Sequence, residues 1–379
     1  MTRSGPPRPR ALVLVALIAA CGGHRKEGCS PPLEKLAPTS AATLGPGNES
    51  GQDEDPSLLV TRMPDSLIAA WYSDRLGAHP DGLARREIFV TLSYDGKAWL
   101  DPTPATDSHA WSFYPSLARD PNGFVWLAFM RWHLLPDGCI YFDAQHCPGD
   151  PGCCTGTDRR ILVSASYDGI TWSEAASHEV ASGPADEQPS IVAASDGRLL
   201  AYFVSGYRGG DTRRQLQVAV RDSAGWHAPV ALGGVDDAAS NAVFPHAVEV
   251  SPGAFLLAFT RYDLAAGDDA FDPSAEILVS SSADGVQFDA PTVVSGPSPA
   301  RVDVFPWIYP EPDGRWSVLW VTESGTLTRP LDLSSAEAPI DIPGYSPRLV
   351  PTPTDRLYWA AWVEGTDPNQ QVRWRFVSR

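Results

Sequence analysis

Apolar and polar positions alternate along this chain in short runs, and the runs come in pairs. Each pair consists of an apolar stretch, a turn and a second apolar stretch, which predicts two adjoining antiparallel strands. The pair recurs six times, and each copy starts at a proline: Pro56, Pro115, Pro189, Pro245, Pro306 and Pro347. The second stretch passes through an aromatic 14 or 15 positions after the proline: Trp71, Phe129, Phe203, Phe259, Trp320 and Trp362. Four turns carry glycine eight positions after the proline, at Gly123, Gly197, Gly253 and Gly314. No segment keeps a helical apolar period for more than a turn or two. Self-similarity at this spacing marks a repeat architecture. The expectation is an all-β chain, a six-bladed β-propeller with four-stranded antiparallel blades that occupies residues 56–379 as one domain. Two β-sandwiches would give no reason for the constant offset from proline to aromatic.

Composition sharpens this picture. Thirty-six prolines and 32 glycines break the chain into short segments, and 13 tryptophans suit blades packed face to face through large flat side chains. The last copy ends just after one strand, residues 372–377. Its outermost strand is therefore expected either to be missing or to be lent by the segment near Thr43.

The N-terminus reads as a targeting segment. Arg3, Arg8 and Arg10 precede an apolar run, Ala11 to Ala20, that is too short to span a bilayer. Its end, Leu17-Ile18-Ala19-Ala20-Cys21, resembles a bacterial lipoprotein signal, with cleavage before Cys21 and lipid on its thiol. The resemblance implies residues 1–20 as signal peptide and an exported, lipid-anchored protein of the cell envelope. Gly22 after the cysteine points to the outer membrane. Residues 21–55, rich in Gly, Ser, Pro, Ala and charge, read as a flexible tether. Membrane contact is expected through the lipid alone.

Loss of residues 1–20 removes three arginines and no acid, taking the formal charge from −17 to −20. That field disfavours nucleic acid as a partner. Among the remaining cysteines, Cys139, Cys147, Cys153 and Cys154 cluster in a long insert of the second repeat. In an oxidising compartment they are candidates for local disulfides. His133 and His146 lie nearby, but the spacing fits no familiar zinc pattern. The acidic insert Asp268-Asp269-Ala270-Phe271-Asp272 lacks a glutamate-completed calcium loop, so no metal and no cofactor is expected.

Three repeats share a further turn: Ser93-Tyr94-Asp95-Gly96-Lys97-Ala98-Trp99, Ser166-Tyr167-Asp168-Gly169-Ile170-Thr171-Trp172 and Ser282-Ala283-Asp284-Gly285-Val286-Gln287-Phe288. The carboxylate is suited to accept backbone N–H groups exposed by the turn, glycine supplies a positive φ, and the aromatic folds back on the sheet. These turns resemble the Asp-box, or BNR repeat, of the sialidase (neuraminidase) superfamily. The resemblance implies a sialidase-like propeller in which Asp95, Asp168 and Asp284 are structural and lie away from the active site.

Sialidases grip a substrate carboxylate with three arginines, use a glutamate-assisted tyrosine as nucleophile and take a loop aspartate as acid/base. By that resemblance Tyr345 is the candidate nucleophile, Glu187 its partner, and Asp74 or Asp81 the acid. Arg131 and Arg261, each two residues past its template aromatic, are candidate ligand-binding residues, with Arg301 a weaker third. Two roles stay open for Arg131 and Arg261, namely anion recognition or pairing with acids of the flanking inserts. The first arginine of the family has no counterpart. Counting from Pro56 puts Glu54 where it would stand, and Arg62 falls near the first turn. Long inserts from Trp132 to Arg159 and from Tyr262 to Glu276 follow second strands and should wall one face. A pocket lined by Trp132, His246, Trp307 and Tyr345 would suit a sugar ring. Two functions follow. One is an envelope-anchored propeller binding a glycan or other extracellular ligand without catalysis, which the missing arginine favours. The other is an exo-acting retaining glycoside hydrolase of the sialidase type.

Overall fold

The computed structural model describes residues 42–43, 53–60, 66–77, 86–94, 98–106, 111–132, 159–172, 178–183, 186–206, 213–235, 237–266, 271–296, 301–352, 357–365 and 370–378. Its strands form six antiparallel sheets arranged as the blades of a propeller. In blade 1 the strands are Asp53–Val60, Leu67–Ser73, Glu87–Ser93 and Thr103–Pro104. Blade 2 holds Trp111–Arg119, Val125–Trp132, Arg159–Ser166 and His178–Gly183. Blade 3 starts with Glu187–Ala193, Leu199–Gly206 and Arg214–Asp222, and two short pieces share its outer edge, Gly225–Trp226 and Val230–Ala231. Blade 4 comprises Ser240–Ser251, Ala254–Asp263, Glu276–Ser282 and Thr292–Val293. Blade 5 comprises Val304–Pro310, Trp316–Thr322, Gly325–Pro330 and Ala338–Pro339. Blade 6 has Tyr345–Pro351, Leu357–Glu364 and Gln371–Ser378.

The fourth strand of blade 6 comes from the other end of the chain. Ala42 and Thr43 pair antiparallel with Trp374 and Arg373. The ring thus closes by backbone hydrogen bonds. The compact unit runs from Pro38 to Arg379, and ring strands precede the Pro56 boundary expected from the repeat.

The template aromatics are the core. Trp71, Phe129, Phe203, Phe259, Trp320 and Trp362 are all at most 1% exposed on the second strands. Each lies between sheets, which explains their fixed offset: one large apolar side chain per blade fills the same layer of the ring.

The prolines mark something the repeat alone did not reveal. In every blade the pairing of the first two strands slips at the proline, as between Phe113 and Ser116 or Glu187 and Ser190. The residue before each proline has positive φ: Asp55 (49°), Tyr114 (51°), Gln188 (54°), Phe244 (53°), Phe305 (57°) and Ser346 (51°). That conformation is disfavoured for non-glycine residues, and doubly so before proline, at about 1–3 kcal/mol each. Such a bulge adds one residue to the inner strand and re-aims the side chains around it.

What holds the bulges is a circle of contacts at the axis. In blades 1 to 5 the residue after the proline reaches the main chain of the next blade. Ser57 Oγ accepts the Leu117 N–H at 3.1 Å, Ser116 Oγ that of Ile191 at 3.0 Å, and Ser190 Oγ that of Ala247 at 3.1 Å. His246 Nδ1 accepts the Ile308 N–H at 3.0 Å, and Trp307 Nε1 donates to the Leu349 carbonyl at 2.7 Å. Between blades 6 and 1, Ser346 Oγ donates to Asp55 Oδ1 at 3.1 Å.

At the far end of the blades, the repeated turns behave as their residues dictate. Asp168 Oδ1 accepts the N–H groups of Ile170 at 2.9 Å and Thr171 at 2.7 Å, and Asp284 Oδ1 accepts those of Val286 and Gln287 at 2.8 Å. Burial opposes ionisation of Asp168, yet the donors of Thr171, Ile170 and Ser166 outweigh it and hold its carboxyl at about 2. Gly169 and Gly285 take the expected positive φ. A Cβ on Gly169 would come within 2.4 Å of Ile68 in blade 1, and one on Gly285 within 2.5 Å of Leu200 in blade 3. These turns therefore also seat each blade against its predecessor.

The axial circle is testable. Ser190→Ala strands the buried Ala247 N–H and should cost about 1–3 kcal/mol in urea unfolding, with the fold retained.

Candidate functional site

Inner strands begin, and second strands end, at one mouth of the ring. A cavity of about 550 Å³ opens there, lined from blades 4, 5, 6, 1 and 2. The bulges build it. In a regular strand consecutive side chains point to opposite faces, but here Glu54 and Asp55 both line the cavity, as do Val304 and Phe305. Aromatics make one wall. Phe305 is the hub, with ring centroids 4.3 Å from Phe244, 6.0 Å from Phe271 and 6.4 Å from Tyr345. Tyr114 and Glu323 complete the lining in polar terms.

Below the mouth, the axis is occupied by three stacked side chains. The Arg348 guanidinium lies 4.9 Å from the Trp307 ring centre, and the Trp307 ring stacks on His246 at 3.7 Å and 28°. Burial, and then the Arg348 charge, push the His246 imidazole well below its ordinary value. It is therefore neutral, which matches Nδ1 acting as an acceptor. Burial lowers Arg348 to about 10, opposed by Asp55.

Asp55 is a strongly perturbed carboxylate of the mouth. It is 7% exposed, and Ser346 donates to one of its oxygens. Burial first, and then the neighbouring Glu54 charge, push it up to about 7; Arg348 and Ser346 pull the other way. Burial likewise raises the Tyr114 and Tyr72 phenols, with Asp55 and Glu54 adding to the effect, and Tyr72 hydrogen-bonds Glu54.

The residues singled out from sequence fall into three groups. Tyr345 lines the mouth cavity, while His246 and Trp307 lie deeper, around a narrow axial space of about 50 Å³. Glu187 sits 5% exposed between Arg159 at 2.7 Å and Arg214 at 2.8 Å. Two guanidiniums hold it, and it is not among the residues lining the cavity beside Tyr345. Arg131 is buried with its guanidinium 5.2 Å from the Phe129 ring, and Trp132 packs on Trp111 and Phe113 beneath Arg159. Neither lines the cavity. Arg261 pairs with Glu276 and, at 3.8 Å, with Asp237. Its pairing role is the one the structure shows. Arg301 is likewise held by Asp303 at 2.7 Å and Glu337 at 2.9 Å. Asp74 follows the second strand of blade 1, outside the cavity lining. Of the four residues expected to line one pocket, Tyr345 lines the mouth cavity, His246 and Trp307 line the axial space below it, and Trp132 lines neither; Glu54, Asp55, Phe244, Phe271, Phe305 and Glu323 line the mouth with Tyr345.

Asp81, Asp95, Arg62, Cys21, Cys29, Cys139, Cys147, Cys153 and Cys154 lie outside the described residues. Among the described residues no group of His, Cys, Asp or Glu is arranged to hold a metal ion, and no helix is long and apolar enough to cross a membrane.

The signal for the missed residues was present. They stand mostly one or two places before a template proline, and an inner strand that turns at proline brings those places to the axis six times over.

An all-β ring of six four-stranded blades with a ligand-sized mouth defines a sialidase-like propeller. No family model and no curated protein sequence matches the chain. Solved structures do. An α-L-arabinofuranosidase of Fusarium graminearum superimposes with a TM-score of 0.64 at 17% identity, over 89% of this chain and 97% of that one. An α-L-arabinanase of Penicillium chrysogenum, solved with arabinobiose, gives 0.64 at 14% identity over 90% and 99%. The NanB sialidase of Streptococcus pneumoniae gives 0.58 at 10% over 89% and 70%. These likenesses establish the fold.

Asp55 makes a pH prediction. Its ordinary value is 3.8 and the fold raises it to about 7, so the fold favours the protonated form. The stability this contributes is fully present below about pH 4 and is lost as pH rises through about 7. In thermal melts across pH 4–8, Asp55→Asn should gain on the unmodified protein as pH rises, by on the order of a few kcal/mol at pH 8.

Proposed function

We propose that this protein binds the end of a saccharide in the mouth cavity of its propeller. The observation that carries the reading is the cavity itself: about 550 Å³, walled by Phe244, Phe271, Phe305 and Tyr345 and edged by carboxylates. That volume accommodates a sugar residue or two, the rings offer stacking surface, and carboxylates accept hydroxyl protons. The fold shared with arabinan-cleaving enzymes and sialidases supports a glycan as ligand.

The electrostatics speak against an acidic sugar. Binding a carboxylate needs arginines with their charge to spare. Arg159, Arg214, Arg261 and Arg301 each face Glu or Asp at ion-pair distance, and Arg75 is bound to Asp53 at 2.8 Å. A sialic acid is therefore a poor ligand for this mouth.

A second reading has one specific observation behind it: Tyr345 lines the cavity together with Glu54 and Asp55. A phenol beside carboxylates is the material of a retaining glycoside hydrolase, with the tyrosine as nucleophile. The raised Asp55 carboxyl supplies a proton donor near neutral pH. We further propose that the propeller is presented at the cell envelope, anchored through lipid on Cys21. In that picture the four cysteines between 139 and 154 staple an insert of the second blade, and the Asp-box aspartates are structural.

Glycan-array screening followed by calorimetry should find a neutral or basic saccharide that binds saturably and loses at least tenfold in affinity in Phe305→Ala. Absence of any glycan ligand would overturn the reading. Aryl glycosides separate the two functions: turnover abolished by Tyr345→Phe, with binding kept, would establish hydrolysis. Labelled palmitate should be incorporated in a bacterial host and not by Cys21→Ser; equal labelling would refute the anchor.

A further inference from the structure

We propose that the group recognised in the mouth carries a positive charge, so that the ligand is an amino-bearing saccharide with its ammonium group held between the aromatic wall and the carboxylates. The inference rests on the saccharide reading for the sugar and on independent features for the charge.

The first feature is the balance of the lining. Glu54, Asp55 and Glu323 contribute carboxylates from two sides of the cavity, blade 1 and blade 5, while no lysine, arginine or histidine is among the described residues that line it. The second is the wall opposite them. Phe305, with Phe244 and Phe271 packed on it and Tyr345 nearby, presents aromatic faces, and a cation over such a face gains about 0.5–2 kcal/mol. Neutral sugars use aromatics and a few hydrogen-bonding groups. Carboxyl groups at three positions, with no lysine, arginine or histidine among the described lining residues, are in excess of that need.

The third feature is Asp55. It is 7% exposed, accepts from Ser346 through Oδ1 and lines the cavity. Burial disfavours its ionised form, and a ligand N–H⁺ is the group that would stabilise that form. Arg348 offsets the Asp55 charge only in part, and it also donates to the Pro347 carbonyl and lies on the Trp307 ring on the axial side. Finally, a chain of net charge −17 draws cations to its surface and repels anions.

The experiment compares four ligands by calorimetry at pH 7 and low salt: the fully deacetylated glucosamine trimer, its fully N-acetylated counterpart, tetramethylammonium chloride and a sialyl-lactose. The expected result is binding of the glucosamine trimer at least tenfold tighter than the acetylated trimer, weakened by added salt, with no binding of sialyl-lactose. Glu323→Gln, on an exposed side chain, and Glu54→Gln, which keeps an acceptor for Tyr72, should each reduce that preference several-fold without changing the melting temperature appreciably. Tetramethylammonium bound while no saccharide binds would sustain the cation site and overturn the saccharide reading. Equal binding of both trimers, unaltered in the two Gln variants, would sustain the saccharide reading and overturn the charge. Tighter binding of sialyl-lactose would also overturn the charge, and silence from all four ligands would overturn both.

Discussion

Six inner strands are each forced one residue out of step at a proline, and the cost of those left-handed residues is met at the axis. Serine, imidazole and indole groups just past the prolines take hydrogen bonds from, or give them to, the neighbouring blade. The bulge and the circle require one another. Without the bulge these side chains would miss the adjacent main chain; without the circle nothing would hold six unfavourable backbone conformations. The mouth depends on both, because the same distortion turns two consecutive side chains of blade 1 and two of blade 5 into the cavity.

The circle is not uniform, and its asymmetry positions the site. Blades 1 to 3 place small serines at the axis, whereas blades 4 to 6 place His246, Trp307 and Arg348 there. The large groups stack on one another and fill the axis. The chain could have solved the hydrogen bonding with six serines and left a channel. It instead spends three bulky residues on closing it, and the buried Arg348 on offsetting Asp55.

Most of the architecture was legible because it rests on a repeated local pattern. One aromatic per blade at a constant distance from a proline fixed the number of blades and the strand that buries it, and the Asp-Gly turns adopted the hydrogen bonds their residues favour. Counting strands in the last copy leaves its outer strand either missing or lent near Thr43, and the structure shows the second. The site was harder. Arg131, Arg261 and Trp132 were picked by position along second strands, but their direction depends on ion pairs and ring contacts made by residues far away in sequence, such as Arg261 with Glu276 and Trp132 with Trp111. Tyr345 is a candidate by resemblance alone, and it lines the mouth because it stands two places before its proline, at the bulge.

The filled axis has a consequence for traffic. A second hollow of about 310 Å³ lies at the other end, where His246 and Trp307 form part of its wall too. The two ends are joined by no more than the narrow axial space of about 50 Å³, which shares lining residues with both, and this partition is too tight to pass a sugar ring. Whatever docks above must depart by the route it came, so dwell time is governed by one rim alone, and an occupant underneath would sense events overhead only through movement of that partition.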